Sequence, residues 1–218
     1  MNSAILRSTL DLRDTMLNEE LIIDLYRVGA IKFGRFKLTS GIESPFYIDL
    51  RLAITYPGIY KRLVKLMAES LSAFNIDVVT GIETASIPWA SMIAYELNKG
   101  IVYVRKEVKE HGTAKLIEGD LKTGMRVAVI DDVITTGNSI IRAIRIVRDH
   151  GGDVVVAAVF IDREQGGLNA IRREGINAFA LFSVIDMIDV LVNNGLVSNE
   201  LRNSVIEYLV KNRVSTGA

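Results

Sequence analysis

Two adjacent carboxylates that follow an apolar run give this 218-residue chain its clearest chemical signal. Asp131 and Asp132 come directly after Val127–Ile130, a run that predicts a buried strand, and a short turn then leads into a predicted helix. Backbone N–H groups at the start of a helix, helped by the helix dipole, bind phosphate. This turn contains the hydroxyl donors Thr135, Thr136 and Ser139, and Gly137, which permits close approach of an anion. Asn138 is a further candidate for substrate binding. We therefore expect a phosphate site beside two carboxylates that can bind a ribose diol or a hydrated Mg²⁺.

A cation-rich segment precedes these acids. About 20 residues without apolar periodicity separate a predicted strand that ends at Val104 from one that begins near Arg126, and connections of that length in compact domains are usually functional. A solvated surface loop is the alternative interpretation. The side chains that can face a developing negative charge are Arg105, Lys106, Lys109 and His111.

The composition excludes several other kinds of site. Lys plus Arg and Asp plus Glu each number 26, so the formal net charge is zero and no bulk attraction draws the chain to nucleic acid or to an anionic membrane. Cysteine is absent and histidine occurs twice, which excludes a thiolate nucleophile and a cysteine or multi-histidine metal site. We find no signal peptide and no apolar stretch of transmembrane length, and expect a soluble, cytoplasmic protein.

The elements that must position these residues alternate between strand and helix. Apolar runs such as Val154–Ile161 lack the alternation of half-exposed strands, and strands covered on both faces by intervening helices are parallel. The sequence predicts an α/β fold with a central parallel sheet in a single domain over 1–218, its core at about 57–184 and further helices at about 185–218. The predicted strands are 77–80, 101–104, 126–130, 154–161 and 178–182, and the predicted helices are 18–29, one from 57, 87–98, 139–150, 168–174 and 199–212, with two extended segments between 32 and 49.

The helix after the acids is amphipathic. Its isoleucine and valine residues recur at helical spacing on the side expected to face the sheet. The other side carries Arg142, Arg145 and Arg148, which are predicted to form a solvated face.

The acid pair with its turn resembles the phosphoribosyl-diphosphate signature of the type I phosphoribosyltransferases. Three further segments resemble parts of the orotate-specific enzymes of that family: residues 36–51 their amino-terminal element, 105–113 their catalytic loop, and 162–167 their orotate-contacting segment. All four motifs occur in the family's order. The resemblance is therefore far more specific than a lone phosphate turn.

This resemblance implies the type I phosphoribosyltransferase fold, with a small hood subdomain built from about 1–56. It implies transfer of the phosphoribosyl group from 5-phosphoribosyl 1-diphosphate (PRPP) to orotate, which yields orotidine 5′-phosphate and diphosphate in pyrimidine (UMP) biosynthesis. Mg²⁺ is the implied cofactor, held mainly by the diphosphate, with no protein ligand assigned. Two alternatives stay open: a purine or other base phosphoribosyltransferase, and a non-catalytic PRPP-sensing regulator.

The resemblance also implies roles within the cationic segment. Lys109 would stabilise the leaving diphosphate, and Arg105 and His111 would assist at the same oxygens. Lys106 would bind from the subunit's own side. In the family, part of this loop reaches into the neighbouring subunit, so a homodimer is expected.

On the base side, the resemblance gives Arg163 the role of holding the orotate carboxylate, for which its planar fork is suited. Phe46 and Tyr47 are candidates for walls of the base site, although aromatic residues in such a run are often simply packed. Lys37 is a weaker candidate for substrate binding.

The chain departs from the family pattern at two places. Some members carry lysine where this chain has Thr39, and some carry a tyrosine-lysine pair where it has Thr84 and Ala85. Thr84, Ala85 and Ser86 can still offer hydroxyl and backbone donors at the start of a helix. We expect weaker diphosphate binding rather than lost function.

Overall fold

The structure is a computed structural model that describes residues 12–37, 41, 43–107 and 116–212, with side chains described from residue 18 onward. The chain forms two compact units. Among the described residues, one unit consists of those up to 59 together with 185–208, and the other of those within 60–184 together with 209–212.

Helices and strands alternate through most of the described chain, as the sequence predicts. The helices are α1 (Leu12–Arg27), α2 (Pro57–Leu71), α3 (Ile87–Glu96), α4 (Asn138–Asp149), α5 (Gly167–Arg173), α6 (Val184–Asn193) and α7 (Asn199–Asn212). The strands are β1 (Ile31–Lys37), β2 (Glu43–Ile48), β3 (Val78–Ile82), β4 (Gly100–Val104), β5 (Ile117–Glu118), β6 (Arg126–Ile134), β7 (Asp153–Asp162) and β8 (Asn177–Ser183). Within the described residues, no helix is both long and apolar enough to cross a membrane.

The first unit contains a β-hairpin. β1 and β2 pair antiparallel, with Ile31 opposite Ile48 and Lys37 opposite Glu43. Aromatic and β-branched residues in both strands favour this extended backbone. The hairpin confirms the two extended segments that the sequence predicts ahead of the main sheet.

The helix before the hairpin is longer than predicted. α1 begins at Leu12, so the predicted start at Asn18 is wrong. The residues between these two positions include neither glycine nor proline, and the helix therefore continues through a residue that only resembles a cap. Leu21 and Leu25 are buried on one face of α1, and Gly29, with a φ of 74°, turns the chain towards β1.

The second unit confirms the predicted α/β architecture. Its six-stranded sheet has the order β5-β4-β3-β6-β7-β8, and every neighbouring pair is parallel except β4 with β5. Sequence analysis missed β5, in which Ile117 and Glu118 pair with Val104 and Tyr103. A strand of two residues is too short to give a periodic signal. Because β5 is antiparallel to β4, the sheet is mostly rather than wholly parallel.

β6 is also longer than predicted. The expected end at Ile130 is wrong because pairing with β7 continues, with Val133 opposite Ile161 and Ile134 opposite Asp162. The acid pair therefore lies within the last part of the strand rather than after it.

The strand order places the site. From β3 the chain moves outward to β4, and it then returns to β6 beside β3 and proceeds in the other direction to β7. Right-handed crossovers in opposite directions put α3 and α4 on opposite faces of the sheet. The carboxyl ends of β3 and β6 thus flank the crevice in which open α/β sheets bind ligands.

Candidate active site

The acid pair is held by short-range hydrogen bonds at the end of β6. Asp131 is only 9% exposed, and its Oδ1 accepts the Asp132 backbone N–H at 3.0 Å. Its Oδ2 accepts the Ser139 hydroxyl at 3.2 Å. Asp132 is half-buried, and its Oδ1 accepts the Val133 N–H at 2.9 Å. Both carboxylates are therefore fixed by groups of the same strand and the following helix.

Burial dominates the electrostatics of this pair. The pKa of Asp131 is raised from an ordinary 3.8 to about 7, chiefly by burial and next by the neighbouring charge of Asp132, although the hydrogen bonds from Asp132 N–H and Ser139 act to lower it. Asp131 therefore changes charge near neutral pH. A ligand that brings hydroxyl donors or a cation stabilises its ionised form.

The turn after the acids has the geometry that the sequence predicts. Gly137 has a φ of 86° and caps α4, with its carbonyl accepting the Ile141 N–H at 2.9 Å. Thr136 and Asn138 are exposed beside it, and Thr135 is half-buried. Ser139, the second residue of α4, is exposed, and its hydroxyl, predicted to bind phosphate, donates to Asp131 in this structure. The backbone N–H groups of the turn remain the predicted phosphate donors.

Two glycines allow the segment 162–167, which resembles the orotate-contacting segment of the family, to lie against this turn. A Cβ added to Gly137 would lie 3.0 Å from the Gly167 carbonyl oxygen, and one added to Gly167 would lie 2.8 Å from the Thr135 carbonyl oxygen. In addition, the Arg163 N–H donates to the Ile134 carbonyl at 3.0 Å. Arg163 is half-buried, and its backbone is thus fixed to the strand that carries the acids.

The connection from β3 to α3 is closed by a serine. The Ser86 hydroxyl is buried, donates to the Ile82 carbonyl at 2.8 Å and accepts the Ile82 N–H at 2.6 Å. The expectation that Ser86 offers a hydroxyl to a ligand is therefore wrong, because both capacities are used within the loop. Thr84 is exposed and Ala85 half-buried, and the Glu83–Thr84 peptide bond is cis.

The first residues of the cationic segment lie beside this connection. Arg105 is paired with Glu118, with Nη1 to Oε1 at 3.1 Å, and its N–H donates to the Leu116 carbonyl at 2.8 Å. Lys106 is exposed, and its N–H donates to Glu83 Oε2 at 2.8 Å. The structure thus brings Arg105 and Lys106 to the edge of the crevice. The predictions for Lys109 and His111 lie outside the described residues.

The arginines of α4 form the exposed face that the sequence predicts, but each of them also has a hydrogen-bond partner. They are exposed, but Arg142 donates from Nη1 to the Arg105 carbonyl at 3.1 Å and from Nη2 to the Lys106 carbonyl at 2.7 Å. Arg145 donates to Glu174 at 2.8 Å, and Arg148 to the Glu174 carbonyl at 3.3 Å. Sequence reasoning missed Arg142 and Glu83 at the site because their partners are far away in the chain.

The remaining predicted residues belong to the first unit. Phe46 is 1% exposed and packs edge-on against Tyr208, with ring centroids 5.7 Å apart, which favours a packing role. Tyr47 is 37% exposed, and Lys37 is exposed on β1. Thr39 lies outside the described residues.

Known proteins share both the sequence and the fold. Residues 53–173 match the family described as phosphoribosyl transferase domain. The chain is 43% identical over 188 residues to the orotate phosphoribosyltransferase of Pyrobaculum calidifontis, which covers 86% of this chain and 97% of that protein. The crystal structure of orotate phosphoribosyltransferase from Aeropyrum pernix is similar with a TM-score of 0.71 at 35% identity, covering 82% of this chain and 99% of that one. The Mycobacterium tuberculosis orotate phosphoribosyltransferase in complex with PRPP has a TM-score of 0.66 at 32% identity, covering 78% of this chain and 98% of that one.

The pKa of Asp131 predicts how stability depends on pH. Between 3.8 and about 7 the folded protein holds a proton that the unfolded chain has lost, so wild-type stability falls as the pH rises through this range. The side chain of Asp131→Asn cannot ionise. The free energy of unfolding of this variant minus that of the wild type, measured by urea titration, should therefore increase from pH 4.5 to pH 8. Asp132→Asn is the matched control and should show a smaller pH-dependent gain. A gain of Asp131→Asn that is the same at every pH would contradict the assignment.

Proposed function

This chain belongs to the orotate phosphoribosyltransferases of the phosphoribosyl transferase domain family, and we propose that its acid pair, phosphate turn and Arg163 bind the two substrates. The enzyme transfers the phosphoribosyl group of PRPP to orotate and forms orotidine 5′-phosphate and diphosphate, a step of pyrimidine (UMP) biosynthesis. The observation that carries this activity is the near full-length similarity to orotate phosphoribosyltransferases.

The ribose and its 5-phosphate are assigned to the end of β6 and the start of α4. Asp131 and Asp132 accept hydrogen bonds from the ribose diol, which requires the ionised carboxylates. The backbone N–H groups after Gly137, with the hydroxyls of Thr135 and Thr136, hold the phosphate. As the bond to diphosphate breaks, the ribose carbon becomes cationic, and the two carboxylates stabilise that charge through space.

The diphosphate is assigned to the opposite side of the crevice. Thr84 and Ala85 offer a hydroxyl and backbone donors at the start of α3, where the positive end of the helix dipole adds to them. Lys109 neutralises the leaving oxygens, assisted by Arg105 and His111, and Lys106 contributes from its own subunit. Without a lysine at position 84 or 85, diphosphate binding depends more on these cations.

Mg²⁺ is assigned to the substrate rather than to a resident protein site. Within the described part of the chain, no group of three metal-ligating side chains is found. Mg²⁺ commonly keeps several waters and binds through one or two carboxylates plus substrate phosphates. Asp131 and Asp132, next to a phosphate turn, fit this mode. A Mg²⁺ ion held mainly by PRPP beside these carboxylates would supply positive charge to the diphosphate.

Orotate is assigned to the segment after β7. Arg163 can hold its carboxylate through two parallel hydrogen bonds, because the guanidinium fork matches a carboxylate. By the resemblance, Tyr47 is assigned to the wall of the base site and Lys37 to its edge, whereas the burial of Phe46 favours a packing role. The homodimer with a shared loop and the cytoplasmic location stay predictions.

The activity is tested by following orotate absorbance. Purified protein with orotate, PRPP and Mg²⁺ should consume orotate, and mixtures that lack either PRPP or Mg²⁺ should not. A panel of adenine, guanine, hypoxanthine, uracil and orotate, compared by kcat/KM, should favour orotate. A higher kcat/KM for another base would show that orotate is not the preferred substrate. PRPP binding without turnover of any base would favour a regulator.

The assignment of Arg163 is tested by Arg163→Lys. Lysine keeps the charge but loses the fork, so KM for orotate should rise about tenfold to a hundredfold while KM for PRPP stays within about twofold. Arg173→Lys, on the exposed last turn of α5, is the matched control and should leave both constants unchanged. Equal increases in the two KM values for Arg163→Lys would show that the residue does not distinguish the base.

A further inference from the structure

We propose that Arg142 is a positioning residue that holds the backbone at the start of the cationic segment in register with the phosphate turn. The inference rests on the proposed function, since it assigns a reason for this register in phosphoribosyl transfer. Arg142 lies one turn into α4, the helix whose first residues are assigned to the 5-phosphate.

The contact is a fork that spans two consecutive carbonyls. Arg142 Nη1 donates to the Arg105 carbonyl at 3.1 Å and Nη2 to the Lys106 carbonyl at 2.7 Å. A planar guanidinium can make both bonds at once, whereas a lysine ammonium is a point charge without this fixed spacing. The two bonds therefore set both the position and the direction of this stretch of backbone.

A second segment holds the same residue from the other direction. Glu83 Oε2 accepts the Lys106 N–H at 2.8 Å, and the Glu83 N–H donates to the Val104 carbonyl at 2.9 Å. The amide and the carbonyl of Lys106 are thus bound to the β3–α3 connection and to α4, respectively. The β3–α3 connection, α4 and the cationic segment are the three segments to which we assign PRPP. The first two contact the third at the backbone of Lys106.

A purely structural role accounts poorly for this contact. Arg142 is exposed, and holding an exposed arginine side chain in one rotamer costs conformational entropy that a freely solvated side chain keeps. Arg145, one turn away on the same face, pairs with Glu174 ahead of β8 and fixes a helix to the scaffold. Arg142 instead reaches the backbone on which the cationic side chains are mounted.

The experiment compares Arg142→Met with Arg145→Met in the full chain. A misplacement of about 1 Å at a reacting group can cost about a hundredfold in rate, so Arg142→Met should lower kcat about tenfold to a hundredfold. KM for orotate should stay within about twofold, and the melting temperature within about 2 °C of wild type. Arg142→Lys should recover only part of kcat. Arg145→Met should retain wild-type kcat.

A readout without activity separates this proposal from the proposed function. Amide hydrogen exchange over residues 103–107, measured by mass spectrometry at short labelling times, should become about tenfold faster in Arg142→Met and stay unchanged in Arg145→Met. Unchanged exchange in Arg142→Met overturns the positioning role, as does faster exchange with wild-type kcat. If the wild-type protein does not convert orotate, the proposed function fails, and the exchange result still decides whether Arg142 holds this backbone.

Discussion

The burial of a carboxylate at the end of β6 is the constraint on which the site depends. Asp131 lies where a parallel sheet is covered on both faces, and water cannot stabilise its charge there. One backbone N–H and the Ser139 hydroxyl satisfy its oxygens but do not restore an ordinary pKa. In the proposed site, the ribose diol and the divalent cation of the substrate would stabilise the ionised form of Asp131. That stabilisation would favour binding of PRPP over binding of a simple anion.

A second constraint comes from the close approach of two loops. Gly137 and Gly167 allow the turn after β6 and the segment after β7 to touch backbone to backbone. A side chain at either position would push the loops apart, and Arg163 would move with its segment. The distance between the proposed sugar site and the proposed base site is therefore set by main-chain contact, which is stiffer than contact between side chains. Such stiffness suits a reaction in which a ribose carbon must meet a nitrogen of the base.

Local signals account for most of what the sequence predicts correctly. The apolar run before Asp131, the turn glycine and the amphipathic helix lie within a short stretch of chain, so the strand-turn-helix unit could be predicted. The continuation of β6 to Ile134 depends on its partner β7, and the two-residue β5 depends on β4. Arg142 is 36 and 37 residues from its two partners, and no spacing rule links residues that far apart. Its position on a helix face predicts exposure correctly but gives no information on what the guanidinium binds.

An ion pair of opposite charges, Arg105 with Glu118, lies at the edge of the crevice. Arg105 is paired with Glu118, and a half-buried pair of this kind contributes no more than about 1 kcal/mol. In the proposed site, the diphosphate would replace Glu118 as the partner of the guanidinium at small cost. The backbone bonds from Arg142 and Glu83 do not involve the Arg105 side chain, so they persist through the exchange. Hydrogen bonds to the main chain thus hold the position of Arg105, while its guanidinium, bound to Glu118 and to the Glu107 carbonyl, would change partners in the proposed reaction.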